Sequence, residues 1–381
     1  MVARGTGGKA AVAARVGWIR LARGGGGLRG ISPYRSVCAY GVATATGSVR
    51  RCGDLGPPVA SMWIGLMTDS LQDLPRERVF ELCERWGIRS VELGTGNFSP
   101  APHLQLEVLL REVGERSRLL REVQARGLRI SALNCSGNPL HPRPEVGTRH
   151  AGVVRDTIVL ASLLGVDTVV TMSGCPGSPG GGDVANWIVS SWPPEFLDGL
   201  EWQWRERVIP FWQEMAEWAQ RHGVRRIAIE MHPGQCVYNP ATLLRLREAV
   251  GPVLGANLDP SHLFWQGIDV LLSIHRLGPA IFHVHAKDTQ LNEDNIRRDG
   301  VLYLRREQAV AERPWTFRAV GLGQDASFWR QFVDALRQVG YAGALSIEHE
   351  DELLAPVDGI TRSVCLLRSC LSEAEGSTEP S

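Results

Sequence analysis

Eight short apolar runs, each followed by an amphipathic stretch, recur along this chain at 63–67, 90–93, 129–133, 167–171, 226–230, 253–259, 280–285 and 344–348. Runs of that length read as buried strands. The stretches between them carry apolar residues three or four apart and read as helices, at 74–86, up to 126, 153–164, 202–222, 240–250, 269–276, 327–339 and 357–371. Strictly alternating strands and helices place the chain in the α/β class with a parallel sheet, and eight units close into a (β/α)8 TIM barrel. A doubly wound sheet would alternate too, but no Gly-x-Gly-x-x-Gly follows an early strand. No fixed-period repeat suggests a solenoid. Two connections, 173–200 and 286–326, are unusually long. In a barrel both overhang the C-terminal face, as lids or flexible insertions.

Charge divides the chain at Met62. Over its full length 41 basic residues balance 41 acidic ones. The first acid, however, is Asp54, and nine of the bases (Arg4, Lys9, Arg15, Arg20, Arg23, Arg29, Arg35, Arg50 and Arg51) precede it, with 12 of the 42 glycines. Removing those nine leaves 32 bases against 41 acids, a net of −9 for the body. The head cannot bury enough apolar surface to offset its ordering entropy. Residues 1–61 are therefore expected to be a disordered or spurious extension, from an upstream start codon or an organelle transit peptide; a secretory signal would need an apolar stretch that is not there. Residues 62–381 form the barrel. An acidic body argues against a nucleic-acid partner, and no apolar run is long enough for a membrane span.

The eight cysteines are scattered, with no Cys-x-x-Cys pair. That suits free thiols in a reducing, cytoplasmic compartment and lends no support to a zinc ribbon. Cys135 and Cys175 follow strands but read as packing residues. Lysine is rarer still: Lys9 and Lys287 stand against 39 arginines. The position that kept the body's sole lysine calls for a compact ammonium rather than a planar guanidinium.

Four consecutive runs end in metal-ligand types. The fifth ends at Glu230, followed by His232. The sixth ends at Asp259, followed by His262. The seventh ends in His283-Val-His285, and the eighth at Glu348, followed by His349, Glu350 and Asp351. His283 and His285 face the same side; His285 is nearer the rim and is the better ligand. Carboxylate oxygens with one imidazole suit one divalent ion, Mn²⁺ first, with Mg²⁺, Co²⁺ or Zn²⁺ as alternatives. Glu92 closes the second run and is a candidate for substrate binding or support of the site; an internal salt bridge is the competing reading. His141, in the loop after the third run, is a candidate for a substrate oxygen. Trp202, Trp204, Trp212 and Trp218 fall at helical spacing and read as packing, whereas Trp265 lies just beyond Asp259 and His262 and is kept for the site.

The phrases Ile229-Glu-Met-His-Pro-Gly234, Leu258-Asp-Pro-Ser-His262, His283-Val-His-Ala-Lys-Asp288, Gly340-Tyr-Ala-Gly343, Ser346-Ile-Glu-His-Glu-Asp351 and Asn138-Pro-Leu-His-Pro142 stand in this order and spacing. In these the chain resembles the sugar phosphate isomerase/epimerase family, the xylose-isomerase-like TIM barrels, over about residues 62–371. The resemblance implies one catalytic metal held by Glu230, Asp259, His285 and Glu348, with His232 and His262 on substrate oxygens. The family's ketose epimerases carry an arginine a few residues after the strand-seven histidine; here Lys287-Asp288 follows instead, with Arg297 and Arg298 later.

The expected activity is a metal-dependent sugar or sugar phosphate isomerase or epimerase working on a small carbohydrate. A metal chelated by carbonyl and hydroxyl oxygens would stabilise an enediolate. Glu230 and Glu348 would move the proton, with Lys287 as oxyanion partner or acid. The alternatives are a metal-dependent dehydratase or lyase of a polyol or keto-sugar, an AP-endonuclease-like repair enzyme, and a non-catalytic carbohydrate-binding barrel. A homo-oligomer stays open, since exposed barrel helices often pair.

Overall fold

A computed structural model describes residues 61–305 and 307–376. The expectation for residues 1–60 lies outside the described residues. Eight parallel strands close a barrel: β1 (Trp63–Met67), β2 (Ser90–Gly94), β3 (Arg129–Asn134), β4 (Thr168–Met172), β5 (Arg226–Glu230), β6 (Leu254–Leu258), β7 (Ile281–Ala286) and, after two strands outside the barrel, β10 (Ala344–Ile347), which pairs with β1 and β7. Among the described residues, no helix is long and apolar enough to cross a membrane.

The strands alternate between two environments. In β5, Ile227 and Ile229 pack into the large core beneath the surrounding helices. Ala228 joins Ala132 and Val170 in a small cluster inside the barrel. The parity that puts Ala228 inside also puts Glu230 inside, one layer nearer the mouth. Register carries this layer around the wall: Met172 pairs Glu230, Glu230 pairs Asn257, and Ser346 pairs His285. An apolar floor therefore supports a polar mouth at the C-terminal ends of the strands.

Both long connections are more structured than their composition suggests. Within 173–200 the helix Glu195–Trp202 forms and continues through a π-helical turn, Gln203–Val208, into Ile209–Arg221. The buried Gln203 amide donates to the carbonyls of Pro176 (3.2 Å), Gly177 (2.9 Å) and Asn186 (2.7 Å), stapling the loop to this helix. Trp204 and Trp212 are fully buried there, as their spacing predicts. Gln203→Ala leaves those carbonyls without their donor. We expect a loss of about 1–3 kcal/mol, read as a lower urea midpoint at unchanged slope.

Within 286–326, β8 (Asp288–Leu291) and β9 (Trp315–Arg318) form an antiparallel hairpin, with the helix Glu293–Asp299 between them. The hairpin is fastened by stacking of Trp315 on Trp265, with ring centroids 4.7 Å apart and an interplanar angle of 6°. Thr289 adds a hydroxyl bond to the Ser261 carbonyl at 2.9 Å.

Candidate active site

A cavity of about 950 Å³ opens at the barrel mouth. Glu230, Lys287 and Glu348 line it, facing Asp69, Phe98 and Ser99 from the connections after β1 and β2. Ligand atoms of Glu230, Asp259, His285 and Glu348 all lie within 4.8 Å of one another. These four residues come from the neighbouring strands β5, β6, β7 and β10, at or just past their C-terminal ends.

Each group is oriented by a neighbour. Asp259 caps the short helix Pro260–Phe264, where its Oδ1 accepts from the Ser261 N–H at 2.8 Å. Its Oδ2 is buried without a hydrogen-bond donor. His285 is fully buried, and its Nε2 donates to both oxygens of Glu92 at 3.1 Å. Its Nδ1 lies 3.3 Å from Glu348 Oε2. Burial alone would lower the pKa of His285, but Glu92 and Glu348 on either side hold it well above the ordinary value, so without an ion both ring nitrogens carry protons. A carboxylate behind a ligating imidazole is the usual means of fixing its tautomer and raising its basicity.

Glu92 is wholly buried beneath this layer. It also accepts from Asn134 (2.8 Å), His283 (2.8 Å) and Ser346 (2.7 Å). Burial alone would raise its pKa, but the imidazoles of His285 and His283 hold it well below the usual carboxylate range. Glu92 therefore supports the site from below and is absent from the cavity lining. His283 sits one layer deeper than His285, as the strand alternation predicts.

Lys287 is only 3% exposed. Its ammonium lies 3.1 Å from Glu348 Oε2 and 3.8 Å from Asp259 Oδ2, contacts Glu350, and sits 4.2 Å from the Phe317 ring centroid. The two glutamates are driven apart. Burial, together with the Glu348 and Asp259 carboxylates, pushes Glu230 up to about 7. Glu348 would also be raised by burial, but Lys287 and His285 outweigh it and hold the carboxyl well below its ordinary value. His262 Nε2 donates to Glu230 Oε1 at 3.1 Å, and its ring lies against that of His232, tilted by 57° with centroids 4.1 Å apart. Burial brings both histidines down to about 4, so they are neutral at pH 7.

Besides Glu92, two further substrate-contact candidates lie off the cavity. The His141 ring accepts from the Arg143 N–H in its own loop, and neither it nor Trp265 is among the lining residues. Trp265 instead braces the hairpin that carries Phe317. Phe317 was invisible as a site residue because its segment reads as a structureless insertion; the alternation in Trp315-Thr-Phe-Arg318 was the available signal. Asp69, whose carboxylate accepts from the Ser99 hydroxyl, lies in a one-turn helix after β1 that nothing in the sequence marks. Cys135 and Cys175 are buried free thiols, and burial pushes Cys135 up to about 12, which fits packing rather than nucleophilic attack.

A sequence profile of the xylose isomerase-like TIM barrel matches residues 80–370. The chain belongs to that family. It is 42% identical over 314 residues, covering 82% of this chain and all of the relative, to the uncharacterized protein YfiH of Bacillus subtilis (strain 168). Solved structures share the fold at lower identity. An L-ribulose 3-epimerase superposes with a TM-score of 0.56 at 17% identity, over 84% of this chain and 98% of its own. The IOLI protein, crystallised with a zinc atom, superposes with a TM-score of 0.57 at 19% identity, over 82% and 99%.

Proposed function

We propose that this member of the xylose isomerase-like family is a divalent-metal-dependent sugar isomerase or epimerase. The observation that carries the reading is the convergence of Glu230, Asp259, His285 and Glu348 within 4.8 Å. The donors fit an ion. Three carboxylates converge in a buried site with Lys287 as their one ammonium, Asp259 Oδ2 has no hydrogen-bond donor, and an ion that displaced the Nδ1 proton of His285 would take that nitrogen as a ligand. Hard oxygens with one imidazole favour Mn²⁺, with Mg²⁺, Co²⁺ and Zn²⁺ compatible. Such an ion, when bound, supplies Lewis-acid withdrawal of charge from a carbonyl and its neighbouring hydroxyl.

The chain's own groups do the rest. Glu348, kept ionised by Lys287, takes the proton from the carbon beside the carbonyl. Glu230, across β6 and β7, returns a proton to the neighbouring carbon in isomerisation or to the opposite face in epimerisation. His232 and His262, both neutral, hold substrate oxygens. Phe317 closes one side of the cavity, its ring beneath the Lys287 ammonium.

The test is elemental analysis of the purified protein, followed by a panel of sugars and polyols in D₂O with NMR detection of exchange. We expect one equivalent of divalent metal, and exchange that a chelator abolishes and Mn²⁺ restores. No bound metal, and no exchange with any of the four ions, would reject the proposal.

A further inference from the structure

We infer that the substrate of this site is an uncharged polyhydroxy carbonyl compound and not its phosphate ester. The inference rests on the function proposed above and narrows its substrate class. TIM barrels that bind phosphate commonly do so with backbone N–H groups in the loops after strands seven and eight and at the start of an extra helix. This chain builds such a cradle at 320–325, in the connection between β7 and β10, and fills it with its own side chain.

The Asp288 carboxylate, fully buried, accepts from the backbone N–H groups of Gly321 (2.9 Å), Gly323 (3.1 Å) and Gln324 (3.0 Å), and from the Trp329 indole at 3.2 Å. The cradle needs its glycines. Gly321 has φ +89°, and a Cβ on Gly323 would lie 2.3 Å from the Thr289 carbonyl oxygen and 2.6 Å from Asp288 Oδ1. The helix that follows, Ala326–Gln338, is capped by Asp325, which accepts from the Phe328 N–H at 2.9 Å. Both anion-binding devices are thus occupied by internal carboxylates.

No cation replaces them. Lys287 is the one Lys or Arg among the described residues lining the cavity, and it is committed to Glu348 and Glu350. Of the nearby arginines, Arg318 pairs with Asp351 at 2.9 Å and Arg313 with Glu352. What remains at the rim beyond β1, next to the strand that carries Glu348, is negative. Asp69 Oδ1 is buried without a donor, and Asp73, exposed beside it, has no ion pair among the described residues. A phosphate dianion entering here would meet carboxylates in a partly desolvated cleft, whereas hydroxyl groups could donate to them.

The experiment compares a ketohexose panel with the matching 6-phosphates on the Mn²⁺-loaded full chain, by proton exchange, and adds calorimetric titration with inorganic phosphate. We expect kcat/KM to favour the free sugar by about 100-fold, and phosphate to show no binding tighter than about 1 mM. The double substitution Asp69→Asn, Asp73→Asn should narrow the preference by about tenfold. Equal or better use of the phosphate esters overturns the inference while leaving the isomerase proposal standing. Absence of exchange with every sugar rejects the isomerase proposal, and the phosphate titration then decides the inference alone. Phosphate bound in the cavity more tightly than about 1 mM overturns it, and no binding upholds it. A preference unmoved in the double variant removes the rim carboxylates from the explanation.

Discussion

Glu348→Gln should leave a folded, metal-competent protein whose turnover falls by about 10²–10⁴-fold, the usual worth of a positioned proton-transfer group. The substitution keeps the shape of the side chain and one oxygen. It removes the negative charge that faces Lys287 at 3.1 Å and His285 Nδ1 at 3.3 Å. Glu348 suits the role because its side chain is 18% exposed to the cavity, whereas Asp259 is wholly buried and engaged as a helix cap. The check is kcat under saturating Mn²⁺ with metal content measured on the same sample. Full turnover with metal bound would remove Glu348 from the proton path. Loss of metal together with turnover would assign it to ligation alone.

The division of labour among these residues was only partly legible in the sequence. Strand parity located the mouth, because an ionisable residue closing an apolar run must point into the barrel or pay a desolvation cost against the helices. That argument reached Glu230 and His285 within their strands, and Asp259 and Glu348 just past theirs. It could not assign Glu92. A carboxylate at the end of the second run is equally consistent with ligand, substrate contact or internal bridge, and its partners His283, His285 and Ser346 lie 191, 193 and 254 residues away. Long-range pairing of this kind leaves no local signature. The hairpin was hidden for a related reason. Its two four-residue strands are separated by the segment 292–314, and each alone is too short for alternation to stand out. With it went Phe317 and the Asp288 cradle. Their meaning depends on backbone N–H groups more than thirty residues further along the chain.

Glu92→Gln should be the most destabilising substitution in the barrel interior, although Glu92 does not line the cavity. The amide offers one oxygen where the carboxylate accepts from Asn134, His283, His285 and Ser346, and its NH₂ group faces donors. Removing one partner of a buried charge pair costs about 3–5 kcal/mol. The sign of the pH dependence follows from the depressed folded-state pKa of Glu92, set against an unfolded value of about 4.3. The stabilisation is fully present above the unfolded pKa and is lost as pH falls through the folded value. Urea unfolding in chelator should therefore show the full deficit near about pH 7 and a smaller one near about pH 3. Metal affinity should fall by about 10–100-fold, because His285 loses the acceptor that fixes its tautomer. A variant as stable as the parent at neutral pH, with metal affinity unchanged, would mean that Glu92 neither carries charge in the folded state nor orients His285.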